Sequence, residues 1–93
     1  MIDWKDITSY SKGQRGKVEP SVLEAEIEDV AIRIHRHIHY PETWLLTCYD
    51  MNIEKEILYT NDFEKAERKA MKIIFNRLER YKKLSNKLLG LLS

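Results

Sequence analysis

Between residues 21 and 40 the apolar positions alternate. Leu23, Ala25 and Ile27 are interleaved with Val22, Glu24, Glu26 and Glu28. Past Glu28-Asp29 the alternation resumes. Ile32, Ile34 and Ile38 share one parity, and Ala31, Arg33, His35, His37 and His39 the other. A period of two is the mark of half-buried strands. A two-residue turn at Glu28-Asp29 pairs Leu23 with Ile34 and Ala25 with Ile32 on the core face. The same register sets Glu24 against Arg33 on the outer face, an opposite-charge pair. One register satisfies both faces, so a hairpin is predicted. Pro41 lacks a ladder donor, so His39-Tyr40-Pro41-Glu42 reads as a turn. Trp44-Leu45-Leu46-Thr47-Cys48-Tyr49 follows as a third strand rich in aromatic and β-favouring residues. Residues 53–59 hold either a short fourth strand or an irregular connection.

The period then becomes helical. Asn61-Asp62-Phe63-Glu64 resembles a capping box, with Asn61 as N-cap and Glu64 reaching back. Phe63, Ala66, Ala70, Ile73, Ile74, Leu78, Tyr81, Leu84 and Leu88 form one apolar stripe, and Gly90 is a plausible stop. Such a helix is about 40 Å long at 1.5 Å per residue, roughly twice the span of a six-residue strand. Its second half is therefore surplus to the sheet. The fold class expected is α+β: a three- or four-stranded antiparallel sheet packed by one long C-terminal helix. The expected organisation is one domain over residues 1–93. It divides into a basic, irregular segment (1–20), the sheet (21–60) and the helix (62–90). In the first segment Gly13 and Gly16 stand among Lys12, Arg15 and Lys17. Trp4, Ile7 and Tyr10 recur every third residue, as in a helical turn or an extended arm that docks on the body.

Composition changes this picture little. Charged residues are 33% of the 93, but 16 bases and 15 acids leave a net charge of +1. There is no global attraction to nucleic acid or to an anionic membrane. No run approaches the roughly 18 apolar residues of a membrane span, and the first residues lack the apolar core of a signal peptide. The single Cys48 excludes an intramolecular disulfide. A cytoplasmic chain with no membrane contact is expected.

Candidate chemistry concentrates in His35-Arg36-His37-Ile38-His39, whose three imidazoles point to one face if the segment is a regular strand. A His-x-His pair can present two zinc ligands. However, alternate strand positions lie about 6.6 Å apart in a row rather than in a tetrahedral fan. No Cys-x-x-Cys or His-Glu-x-x-His stands elsewhere, so neither metal nor cofactor is expected. Cys48 lies in an apolar strand, where a small buried residue is the ordinary explanation. There is no nucleophile elbow and no phosphate-binding glycine loop, so no catalytic residue is assigned. Arg33, His35, Arg36, His37, His39, Tyr40 and Trp44 remain as a partner-binding set. Ile74, Tyr81 and Leu88 fall at one heptad position and Ala70, Leu84 and Leu91 at the next, with Arg77 interrupting. Leu84, Leu88 and Leu91 are thus assigned to self-association, as a homodimer, unless residues 1–20 fold back over them. The alternative reading is a nucleic-acid-binding module. It uses the His and aromatic sheet face together with Arg77, Arg80, Lys82, Lys83 and Lys87.

Three segments also look familiar: Trp4-Lys5-Asp6-Ile7-Thr8-Ser9-Tyr10-Ser11, the string Arg36-His37-Ile38-His39-Tyr40-Pro41 followed by Trp44-Leu45-Leu46-Thr47-Cys48, and the helix start from Asp62 to Leu78. Together they resemble a family of small phage and prophage proteins of Gram-positive bacteria. The resemblance reaches to about residue 80 and brings no assigned activity with it. It implies a mobile-element setting in a bacterial host. A small non-catalytic protein there binds a host or phage protein, for example as an inhibitor of a defence nuclease of the anti-CRISPR kind.

Overall fold

The structure, a computed structural model, describes residues 2–11, 13, 19–37 and 39–93. The bases Lys12, Arg15 and Lys17, with Gly16, Ile38 and the ring of Tyr40, lie outside the described residues. Among the described residues five strands form one antiparallel sheet in sequence order: β1 (Lys5–Asp6), β2 (Val22–Ile27), β3 (Val30–His37), β4 (Tyr40–Cys48) and β5 (Ile53–Ile57). A 3-10 turn, Tyr49–Met51, links β4 to β5, and α1 (Phe63–Leu92) follows.

The β2–β3 hairpin has the expected register: Leu23↔Ile34, Ala25↔Ile32 and Glu24↔Arg33. Glu28 takes φ 55° in its two-residue turn. Arg33 Nε meets Glu24 Oε2 at 2.6 Å.

The sheet has five strands rather than three or four. β5 is formed, and the N-terminal arm adds β1 by pairing Lys5 with Glu24 and Asp6 with Leu23. The arm is extended rather than a helical turn. Thr8 secures it, its hydroxyl accepting from the Ser21 and Val22 amides at 2.9 and 3.1 Å. Nor does the 39–42 segment break the sheet, because β4 already begins at Tyr40. From His37↔Tyr40 to His35↔Leu45, β3 moves two residues and β4 five. The excess is a bulged stretch that accommodates Pro41, whose missing N–H does not suit a regular ladder.

α1 packs on one face of the sheet. Ala66, Ala70 and Ile74 are buried against Ile32, Ile34, Trp44, Leu46, Cys48, Met51, Ile53 and Leu58. The N-cap is Asp62 rather than Asn61, its carboxylate accepting from the Lys65 amide at 3.3 Å. Gly90 does not end the helix, which continues to Leu92. At the far end of the sheet Arg77 donates to the Met51 carbonyl at 2.8 Å. Tyr81 donates to the same oxygen at 3.0 Å. Every residue from Lys82 to Ser93 is exposed, and the molecule is 58 Å long but only 25 × 24 Å across. The helix thus leaves the body at Tyr81. No helix among the described residues is long and apolar enough to cross a membrane.

Candidate functional site

Strand alternation puts the side chains of Arg33 and His35 on the face away from α1, because Ile32 and Ile34 face it. The cross-strand rows on this open face run Val22–His35–Leu45–Ile57 and Glu24–Arg33–Thr47. Leu45 and Thr47 are 1% and 5% exposed, so the face has a closed floor between its polar groups.

Lys55 completes the site through a fault in β5. Pairing passes from Cys48↔Ile53 to Leu46↔Glu56, a register slip, and Lys55 takes φ 50° there. The slip has a packing cause. Ile53 and Leu58 are both buried in the helix-side core although they are five residues apart. With a period of two, only an inserted residue lets both reach the same face. Lys55 is that residue. Its amide donates to Thr47 Oγ1 at 3.0 Å.

Thr47 Oγ1 also lies 2.8 Å from His35 Nε2, and His35 Nδ1 lies 3.3 Å from the Arg36 carbonyl. A carbonyl only accepts, so Nδ1 carries the proton. The Thr47 hydroxyl, already accepting from Lys55, donates to Nε2. This arrangement suits the neutral form of His35. Burial lowers its pKa first, and the charges of His37, Arg33 and Lys55 lower it further, against the pull of the Arg36 carbonyl. Val22, Arg33, His35, Thr47, Tyr49 and Lys55 together line a cavity of about 150 Å³. Arg33 is tied to Glu24, whereas Lys55 has no carboxylate within ion-pair distance among the described residues.

The expected partner-binding set does not stay together. Arg36 is on the helix side, its guanidinium 4.1 Å from the centre of the Trp44 ring. Its Nη2 donates to the Asn61 carbonyl at 3.4 Å. Trp44 is 5% exposed and belongs to the core. Its indole N–H donates to the Asn61 carbonyl at 2.9 Å, and its ring meets Phe63 edge-on at 5.4 Å. An indole locked in this way is not open to a partner. The imidazoles do not form one row either. The bulge separates His35 from His37, and His39 lies in the turn before β4. The His37 and His39 rings sit 5.1 Å apart, and His37 Nδ1 accepts from the His39 amide at 3.2 Å. Among the described residues no three His, Cys, Asp or Glu side chains are grouped to hold a metal ion. Sequence reasoning missed Lys55 and the role of Thr47. The only available signal was the five-residue gap between Ile53 and Leu58.

On the other surface, Leu84, Leu88 and Leu91 are 51%, 46% and 73% exposed. They continue the helix face that packs on the sheet as far as Tyr81. The described part of the N-terminal arm does not cover them. It packs at the opposite end of α1, where Trp4 meets Phe63 at 5.8 Å and donates to Glu67. Comparison with protein-family models, with curated proteins and with solved structures finds no match.

Proposed function

We infer that this chain is a non-catalytic interaction module that uses its helix tail for self-association and its open sheet face for a protein partner. The observation that carries this reading is the tail itself: a helix segment past Tyr81 with its leucines in water. An amphipathic helix face of this kind gains stability only by covering its apolar stripe. The setting suggested by the sequence resemblance is a phage or prophage protein in a bacterial cytoplasm. Inhibition of a host defence nuclease is the activity that best fits such a small binding protein.

Light scattering tests the tail. The wild-type mass should rise with concentration, and the triple variant Leu84→Gln/Leu88→Gln/Leu91→Gln should remain monomeric. A wild-type mass that does not change with concentration removes the tail as a dimer contact. A pull-down from host lysate with wild type and Arg33→Ala/His35→Ala/Lys55→Ala tests the open face. Equal capture by both sinks that half of the reading.

One observation favours a second reading. After Glu79 the helix carries Arg80, Lys82, Lys83 and Lys87 and no acid. That basic tail suits a phosphate backbone. The reading requires binding that weakens steeply with added salt as counterions are released. A mobility-shift assay with single- and double-stranded DNA and RNA at low salt decides it.

A further inference from the structure

We propose that the pocket formed by Arg33, His35, Thr47 and Lys55 binds a dianionic tetrahedral oxyanion, such as the phosphate monoester of a phosphorylated side chain. This rests on the interaction reading for the open face and names the chemistry of the contact there.

Three observations support it. First, the donors converge from three strands. Arg33 and His35 come from β3, Thr47 from β4 and Lys55 from β5, around one cavity of about 150 Å³. Second, the site is preorganised at a cost. A lysine at φ 50° is strained relative to glycine, and the strain turns its amide onto Thr47. Bulges that redirect a side chain in this way recur beside functional sites. Third, the charges fit. Glu24 neutralises Arg33 and leaves the pocket one net positive charge from Lys55, or two once His35 is protonated.

The groups facing His35 are Arg33 and His37 from β3, Thr47 from β4, Tyr49 from the turn after it and Lys55 from β5, while Glu24 from β2 reaches Arg33. In the free protein burial first, and then the cations among them, favour neutral imidazole. A bound dianion reverses that balance. Protonated His35 then donates from Nε2 to Thr47 Oγ1, and the displaced hydroxyl hydrogen turns to the anion. Binding therefore takes up a proton, and affinity rises as pH falls through the histidine range. A phosphodiester, with a single charge, matches the doubly charged pocket less well than a monoester. The pocket therefore suits a phosphorylated protein better than a nucleic-acid backbone.

The test is an amide-resolved NMR titration of the full chain at constant ionic strength. Sulfate serves as the probe because it stays dianionic across the pH range, with acetate and dimethyl phosphate as singly charged controls. The expected result is a saturable shift of the Thr47 and Lys55 amides with sulfate. Its affinity should be roughly tenfold weaker in Lys55→Gln. It should also tighten between about pH 8 and about pH 6 in wild type and stay flat in His35→Gln. The amide spectra report in the same experiment that both variants are folded. Shifts that do not saturate, or that chloride or either control reproduces, overturn the proposal. So does sulfate affinity left unchanged by Lys55→Gln. Sulfate needs no partner protein, so failure here leaves the helix-tail reading standing, and a monomeric chain leaves this one standing.

Discussion

Two aromatic or titratable residues show how burial decides a side chain's role. Trp44 looks like a contact residue in sequence, because a tryptophan beside histidines and arginines suggests stacking. In the fold it is 5% exposed, held edge-on by Phe63 and capped by Arg36. Trp44→Ala should therefore cost about 3–5 kcal/mol of folding stability, the usual loss for a large buried aromatic. Urea unfolding measures it, and a loss below about 1 kcal/mol would mean that the ring is not a core element. His35 is the opposite case, polar and only half-buried. Its folded pKa lies below the ordinary histidine value, chiefly because of burial. The unfolded chain thus binds the proton more readily, and stability rises with pH across the histidine range. It is fully present above the ordinary pKa and declines as pH falls below it. Thermal melts between about pH 5 and about pH 8 should show this slope in wild type and a shallower one in His35→Gln. An unchanged slope would show that His35 does not contribute to it.

At the level of elements, the turn between β2 and β3 leaves room for improvement. Glu28 sits at φ 55°, a left-handed conformation that costs a residue with a Cβ roughly 1 kcal/mol. Glu28→Gly should raise the melting temperature by a few degrees, the usual equivalent of somewhat under 1 kcal/mol in a domain this small. A drop would mean that the Glu28 side chain makes a contact worth more than the strain. This hairpin was also the most legible element, since alternation on both strands and the Glu24–Arg33 pair admit a single register. Other elements were legible only in part. β1 has two residues, too few for any period, and its place depends on Thr8 bridging to Ser21 and Val22 across the arm. β5 was ambiguous because the bulge at Lys55 breaks its alternation, and that break is what builds the candidate pocket. The helix was readable to within a residue at its start, where Asp62 rather than Asn61 caps it. Gly90 misled at the other end, because a glycine in an exposed last turn weakens a helix without stopping it.

Across the whole molecule, the sheet and the first two-thirds of α1 account for the core. The deepest residues, Ile34, Leu46, Cys48, Ala66 and Ala70, lie within this part, and among the described residues the last tie between helix and body is the Tyr81 hydroxyl on the Met51 carbonyl of the 3-10 turn. The tail beyond it adds length but no burial. Two copies can pair their tails only with the bodies at opposite ends. The tail leucines share the helix face that carries the sheet, so a parallel pairing would drive the two sheets into each other. An antiparallel pair of such short helices covers little surface, well under the roughly 1,200 Å² of a stable complex. A dimer through the proposed tail contact should therefore be weak and concentration-dependent. A chain ending at Lys83 tests both halves of this argument at once. Its melting temperature should stay within a few degrees of the full chain, because no residue it loses is buried. Its mass by light scattering should stay monomeric at every concentration. A large fall in melting temperature at a concentration where the full chain is itself monomeric would show that the tail folds back and stabilises its own body.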